Sequence, residues 1–211
     1  SKMHIQLASS RDGVTWRRTE PRTQLIPFGS AEKGDFDAGF MITTQGPIRV
    51  GDELRLYYFA MSRPQYTKGL ATFPEDVQEK VNRVPLKRGL GMVTWRLDGF
   101  ASISAKTTPG RVVTKPLVAA GEELVVNADA SRGRILVEVL DENNRPLKGL
   151  SAQDCEPLVS DAVRQVVRFG GQSGFLKQLA GKTIRLRFSL ENADLYSFQF
   201  RHSPTIDTGR K

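Results

Sequence analysis

The chain has 211 residues, enough for one large domain or two modest ones, and its 39% hydrophobic and 26% charged residues are the balance of a folded chain. Thirty-one Lys and Arg against 23 Asp and Glu leave a net charge of +8. One cysteine, Cys155, excludes an internal disulfide and a multi-cysteine zinc site; no stretch approaches the ~18 apolar residues of a membrane helix or resembles a leader peptide.

Alternation of apolar and polar residues dominates, the mark of half-buried antiparallel strands. Strands are predicted at 3–8, 40–44 and 54–59, where Leu54, Leu56 and Tyr58 face one way and Arg55 and Tyr57 the other. From Arg63 to Arg88 the chain is charged and carries Pro64, Pro74 and Pro85. A connection that long implies a lid or a mobile loop, and inside it 74–81 (PEDVQEKV), acidic early with Lys80 late, predicts a short helix. Further strands are predicted at 91–97, 101–105, 111–114, 123–127, 135–140 and 163–169, with a single helical turn at 152–155. The clearest are 182–190, where Ile184, Leu186, Phe188 and Leu190 alternate with Thr183, Arg185, Arg187 and Ser189, and 195–201, where Tyr196, Phe198 and Phe200 do the same. Turn residues such as Asp98-Gly99 and Asn143-Asn144 punctuate them. The predicted fold class is all-β.

Two regions are expected. Residues 1–106 have longer loops, including 63–88, and hold both tryptophans, Trp16 and Trp95; residues 107–202 have closely spaced strands and short turns, as a β-sandwich does. The stretch Thr107-Thr108-Pro109-Gly110 marks the expected junction, and 203–211 reads as a polar, frayed tail.

Ser10-Arg11-Asp12-Gly13-Val14-Thr15-Trp16 has the composition of a tight structural turn: Asp12 caps backbone amides, Gly13 takes a positive φ, and Trp16 packs under the hairpin. It resembles the Ser-x-Asp-Gly-x-x-Trp blade turn of five-bladed propeller glycosidases and phosphorylases. Gly34-Asp35-Phe36-Asp37-Ala38-Gly39, Gly51-Asp52-Glu53-Leu54-Arg55-Leu56-Tyr57-Tyr58, Gly89 to Phe100, Leu124 to Asp129 and Ala193 to Phe198 follow in order. The series is similar to the C-terminal portion of bacterial β-fructosidase- and arabinanase-type glycoside hydrolase-like proteins, which join a five-bladed β-propeller to a C-terminal β-sandwich. The resemblance implies a last blade or so within 1–106, a supporting sandwich at 107–202, carbohydrate as partner, further blades or other chains to cover the open sheet edges, and an extracellular or periplasmic setting. No cofactor or metal is expected, since one cysteine and two widely separated histidines, His4 and His202, give no ligand spacing. The family's Asp-Pro-Asn-Gly, Arg-Asp-Pro and Glu-Cys motifs have no equivalent here, so its catalytic acids are expected N-terminal to this segment and none is assigned.

Asp37, ahead of the 40–44 strand, is the carboxylate placed nearest a propeller cavity, with a turn-capping role as the alternative. Arg63 and Tyr57 are candidate sugar contacts, through guanidinium hydrogen bonds and ring stacking, against a solvated cation and a core ring. Cys155 lacks a histidine nearby and is flanked by Asp154 and Glu156, which disfavour a thiolate. The basic residues are scattered and the aromatics alternate inward, so nucleic acid is not expected as a partner, while a pI near 9.8 suits anionic glycans. Three functions remain: the tail of a carbohydrate-active protein, a non-catalytic glycan-binding module, and a basic β domain that binds polyanions or nucleic acid.

Overall fold

Apolar–polar alternation carries most of the chain into antiparallel strands, and among the described residues the fold is all-β apart from one α-helix and two short 3-10 segments. The computed structural model describes residues 2–19, 23–43, 45–65 and 69–202; the tail expected to fray lies outside the described residues. The chain divides into two compact units, the first ending at Trp95 and the second starting at Arg96.

In the first unit, β1 (Ala8–Ser9) and β2 (Arg17–Arg18) form a small hairpin. A sheet follows from β3 (Phe40–Thr43), β4 (Ile48–Val50), β5 (Glu53–Met61) and β6 (Arg88–Arg96). Strands β3 and β4 both run antiparallel to β5, with Phe40 opposite Met61 and Ile48 opposite Arg55, and β6 pairs with β5 as well. One face buries Met41, Leu56, Tyr58 and Ala60 with Ile26, and Ile5, Phe28, Phe36, Val93 and Trp95 pack against them. The residues that alternate with these, Ile42, Ile48, Val50, Tyr57, Leu90 and Met92, stand exposed on the opposite face. Only Met3, bridged to Phe40, and β1 remain of the strand expected at 3–8. The reason is that Met3, Ile5 and Leu7 give their carbonyls to three different segments, at Met41, Leu25 and Thr19, so no continuous ladder forms.

Between β5 and β6 lies α1 (Glu75–Asn82), with Pro74 as its cap and no buried residue. The exposed pairs Asp76–Lys80 and Glu79–Arg83, both at 3.3 Å and four residues apart, contribute only about 0.3–0.5 kcal/mol each. The helix is held instead at its C-terminal end, as described below.

The second unit contains β7 (Ile103–Ala105), β8 (Gly110–Val113), β9 (Leu117–Val118), β10 (Glu123–Asp129), β11 (Arg134–Leu140), β12 (Asp161–Val166), β13 (Thr183–Glu191) and β14 (Ala193–Arg201). They make two sheets, ordered β12-β10-β14-β7 and β11-β13-β8, with β9 also paired to β13. The inward residues of both sheets, among them Leu124, Val126, Val137, Leu186 and Phe188, share one core, and the Phe188 and Phe198 rings lie 5.3 Å apart across it. This is a β-sandwich. Burial of a side chain such as Phe188 contributes roughly 1.5–3 kcal/mol.

The expected junction at 107–110 falls inside this unit. Strand β7 pairs with β14, the Arg96 guanidinium donates to Asn127 at 2.9 Å and pairs with Asp161, and the Asn127 amide donates to the Leu97 carbonyl at 2.6 Å. Those bonds stitch 96–106 to the sandwich.

Candidate functional site

Asp37 lies in the loop that enters β3, half-buried beneath the first unit's sheet. Its Oδ2 accepts a hydrogen bond from the Tyr58 hydroxyl at 3.0 Å, and the Phe36 ring stacks on Tyr58 with centroids 6.3 Å apart. Burial first, and then the Asp37 carboxylate, push the Tyr58 hydroxyl up to about 12, so it remains a donor. Asp35, on the same loop, accepts from the Ser30 amide at 2.8 Å. Both carboxylates crowd Gly29, where a β-carbon would strike Asp37 Oδ1 and approach Asp35 Cβ to 2.7 Å. Acid–base cleavage of a glycosidic bond needs two carboxylates flanking the substrate. Here Gly29 occupies the ground that Asp35 and Asp37 share, and both acids come from one loop. Asp37 is arranged to accept a hydroxyl, and its neighbouring acid Asp35 is engaged by the Ser30 amide.

Arg63 is turned to a different task. Its guanidinium donates to the carbonyls of Val84 and Asn82 and to the Asn82 side chain, gathering the C-terminal end of α1 where free carbonyls concentrate negative charge. Beside it, buried Ser62 donates to the Pro85 carbonyl at 2.6 Å and accepts from the Lys87 amide at 2.9 Å. The excursion from Arg63 to Arg88 is thus closed at its base by two adjacent residues. Ser62 carried no sequence signal, because its partners arrive from more than twenty residues away. Tyr57 is 44% exposed on the open face of the sheet, while Tyr58 is the ring in the core.

The Ser10–Trp16 turn forms as its chemistry requires. Asp12 Oδ1 accepts from the amides of Val14 and Thr15 at 2.9 and 2.7 Å and from the Ser10 hydroxyl at 2.8 Å. The Thr15 and Val14 amides, then the Ser10 hydroxyl, hold Asp12 well below the usual carboxylate range. Gly13, at φ 73°, donates to Ser10 Oγ. Trp16 differs from expectation: it is 63% exposed, with its indole N–H on the Gly13 carbonyl at 3.2 Å rather than packed under the hairpin. Two-residue strands offer too little surface to cover an indole.

A second polar constellation lies on the outer face of the sandwich sheet β11-β13-β8, in a groove of about 570 Å³. Alternation turns Arg187, Ser189 and Glu191 of β13 outward; the register sets Glu138 beside Arg187, Leu136 and Arg111 on either side of Ser189, and Arg134 beside Glu191. Arg187 pairs with Glu138 and Arg134 with Glu191, each at 3.0 Å. Arg111 makes no hydrogen bond or ion pair among the described residues. Cys155 is buried on the inner side of this unit, its sulfur accepting from the Val137 amide at 3.3 Å, and burial pushes its thiol up.

Among the described residues no group of three or more metal-ligating side chains converges, and no helix is long and apolar enough to cross a membrane. Compared with known proteins, the chain matches no family model, no curated protein and no solved structure.

Proposed function

We propose that this chain is the C-terminal region of a carbohydrate-active, glycoside hydrolase-like protein: the first unit contributes blade-type strands to a β-propeller, the sandwich buttresses it, and the hydrolytic acids lie elsewhere. The observation that carries this reading is the open face of the first unit's sheet. Ile42, Ile48, Val50, Tyr57, Leu90 and Met92 stand exposed, beside the Glu53–Arg55 pair, on a sheet whose other face is already packed. Large exposed apolar patches are interaction surfaces, and a second sheet laid on this one, as successive blades of a propeller are, is a natural cover. The capped Ser-x-Asp-Gly-x-Thr-Trp hairpin supports it.

The test is a panel of inulin, levan, arabinan and polygalacturonate, scored for binding by affinity electrophoresis and for reducing ends released. The reading predicts retention by at least one polysaccharide and no hydrolysis. Turnover by this chain alone, or no retention by any of the four, contradicts it. A second reading, a glycan-binding module without catalysis, is favoured by the groove on the sandwich, which combines hydrogen-bonding groups with an apolar floor at Leu136.

A further inference from the structure

We propose that the outer face of sheet β11-β13-β8 is a binding site for acidic oligosaccharides, in which Arg111 and Arg134 hold the carboxylate of a uronic acid residue over Ser189. The proposal deepens the carbohydrate reading above and rests on it for the sugar class.

Charge selects the ligand. Three arginines and two glutamates line the groove, and each glutamate already uses its Oε2 on an arginine: Glu138 on Arg187, Glu191 on Arg134. That leaves the Arg111 fork uncompensated among the described residues, with its N–H groups unclaimed there, on a solvent-exposed β-strand position directly across from Ser189. A guanidinium fork matches a planar carboxylate in two parallel bonds, which a neutral hydroxyl cannot do. Arg134 engages Glu191 through Nε alone, so its terminal nitrogens remain available. The two arginines stand on the strands flanking β13, two strand spacings apart and two residues offset along them, roughly 12 Å at the backbone, and both side chains are long enough to lean over the Ser189–Glu191 edge.

The remaining lining suits a sugar ring rather than a base. Leu136 supplies an apolar floor for the C–H side of a pyranose, and the Oε1 atoms of Glu138 and Glu191 can accept ring hydroxyls. No aromatic side chain lines this groove, so the stacking that holds single-stranded nucleic acid is lacking. The groove volume lies within the range of small-molecule sites.

The experiment is a calorimetric titration of the whole chain with trigalacturonate and, in parallel, with neutral galactotriose, coupled to amide-shift mapping by NMR. The variants are Arg111→Ala, Arg111→Lys and Lys148→Ala. Lys148 is exposed elsewhere on the sandwich and removes the same charge. The proposal expects trigalacturonate to shift the amides of β8 and β13, Arg111→Ala to weaken binding about tenfold or more, Arg111→Lys to fall between, and Lys148→Ala to bind like the parent. Equal weakening in Arg111→Ala and Lys148→Ala overturns it in favour of diffuse polyanion attraction. Equal affinity for galactotriose, or shifts confined to the first unit, overturns it while leaving the carbohydrate reading intact. No binding of either sugar anywhere overturns the proposal and counts against that reading too.

Discussion

The two units spend similar lengths of chain on unequal cores. Among the described residues, 23 buried residues form one shared core in the sandwich, while the first unit's cluster holds five. The sandwich buries the inner faces of two sheets against each other; the first unit packs one face of one sheet under loops and leaves the other face to water. The sandwich closes its core between two sheets, while the first unit leaves apolar side chains on an exposed sheet face. A strand pattern therefore says that one face is buried, and the open face of β3 to β6 shows that the same pattern can carry apolar residues on both.

That contrast can be broken by deleting core side chains on each side. Phe188→Ala removes a fully buried ring from the sandwich and is expected to cost about 3–5 kcal/mol, read as a lowered urea midpoint in far-UV circular dichroism. Leu56→Ala, in the smaller core, is expected nearer 2 kcal/mol, because a cluster bounded by loops collapses onto the cavity more readily. Equal losses in the two variants would remove the distinction between a sealed core and a half-covered one.

A smaller effect comes from Tyr58. Its hydroxyl titrates at about 12 in the folded state against 10.0 unperturbed, so between those values the folded protein holds a proton that the unfolded chain has lost. Stability from this group is full below pH 10 and declines as pH rises toward 12. Tyr58→Phe should flatten that decline in alkaline unfolding curves; a decline unchanged in Tyr58→Phe would mean that another group is responsible.

The legible parts of this molecule are those whose cause is local. The Asp12 turn could be read because every bond it makes falls within five residues, and β13 could be read because Ile184, Leu186, Phe188 and Leu190 alternate without interruption. The helix between β5 and β6 was also legible, from Pro74 and the order of its charges. The unit boundary was not: Arg96 belongs with the sandwich through Asn127 and Asp161, whose approach no nearby residue announces. Arg63 was read as a sugar contact or a free cation because its carbonyl partners, at Asn82 and Val84, come from the far end of the excursion. In the groove, alternation alone turned Arg187 outward. The arrival of Arg111 across from Ser189 depends on a register between strands more than seventy residues apart, which turn residues and periodicity do not encode.

Both tryptophans belong to the first unit and the sandwich has none, which makes the central contrast directly measurable. Trp95 is packed against the small core, so its emission reports that unit, while far-UV circular dichroism also follows the sandwich, which carries the larger number of strands. In a urea titration followed by both signals, the Trp transition should come first, at a lower midpoint, with most of the dichroism still intact. Superimposable transitions would show one cooperative unit and contradict the account of a self-sufficient sandwich joined to a partial sheet.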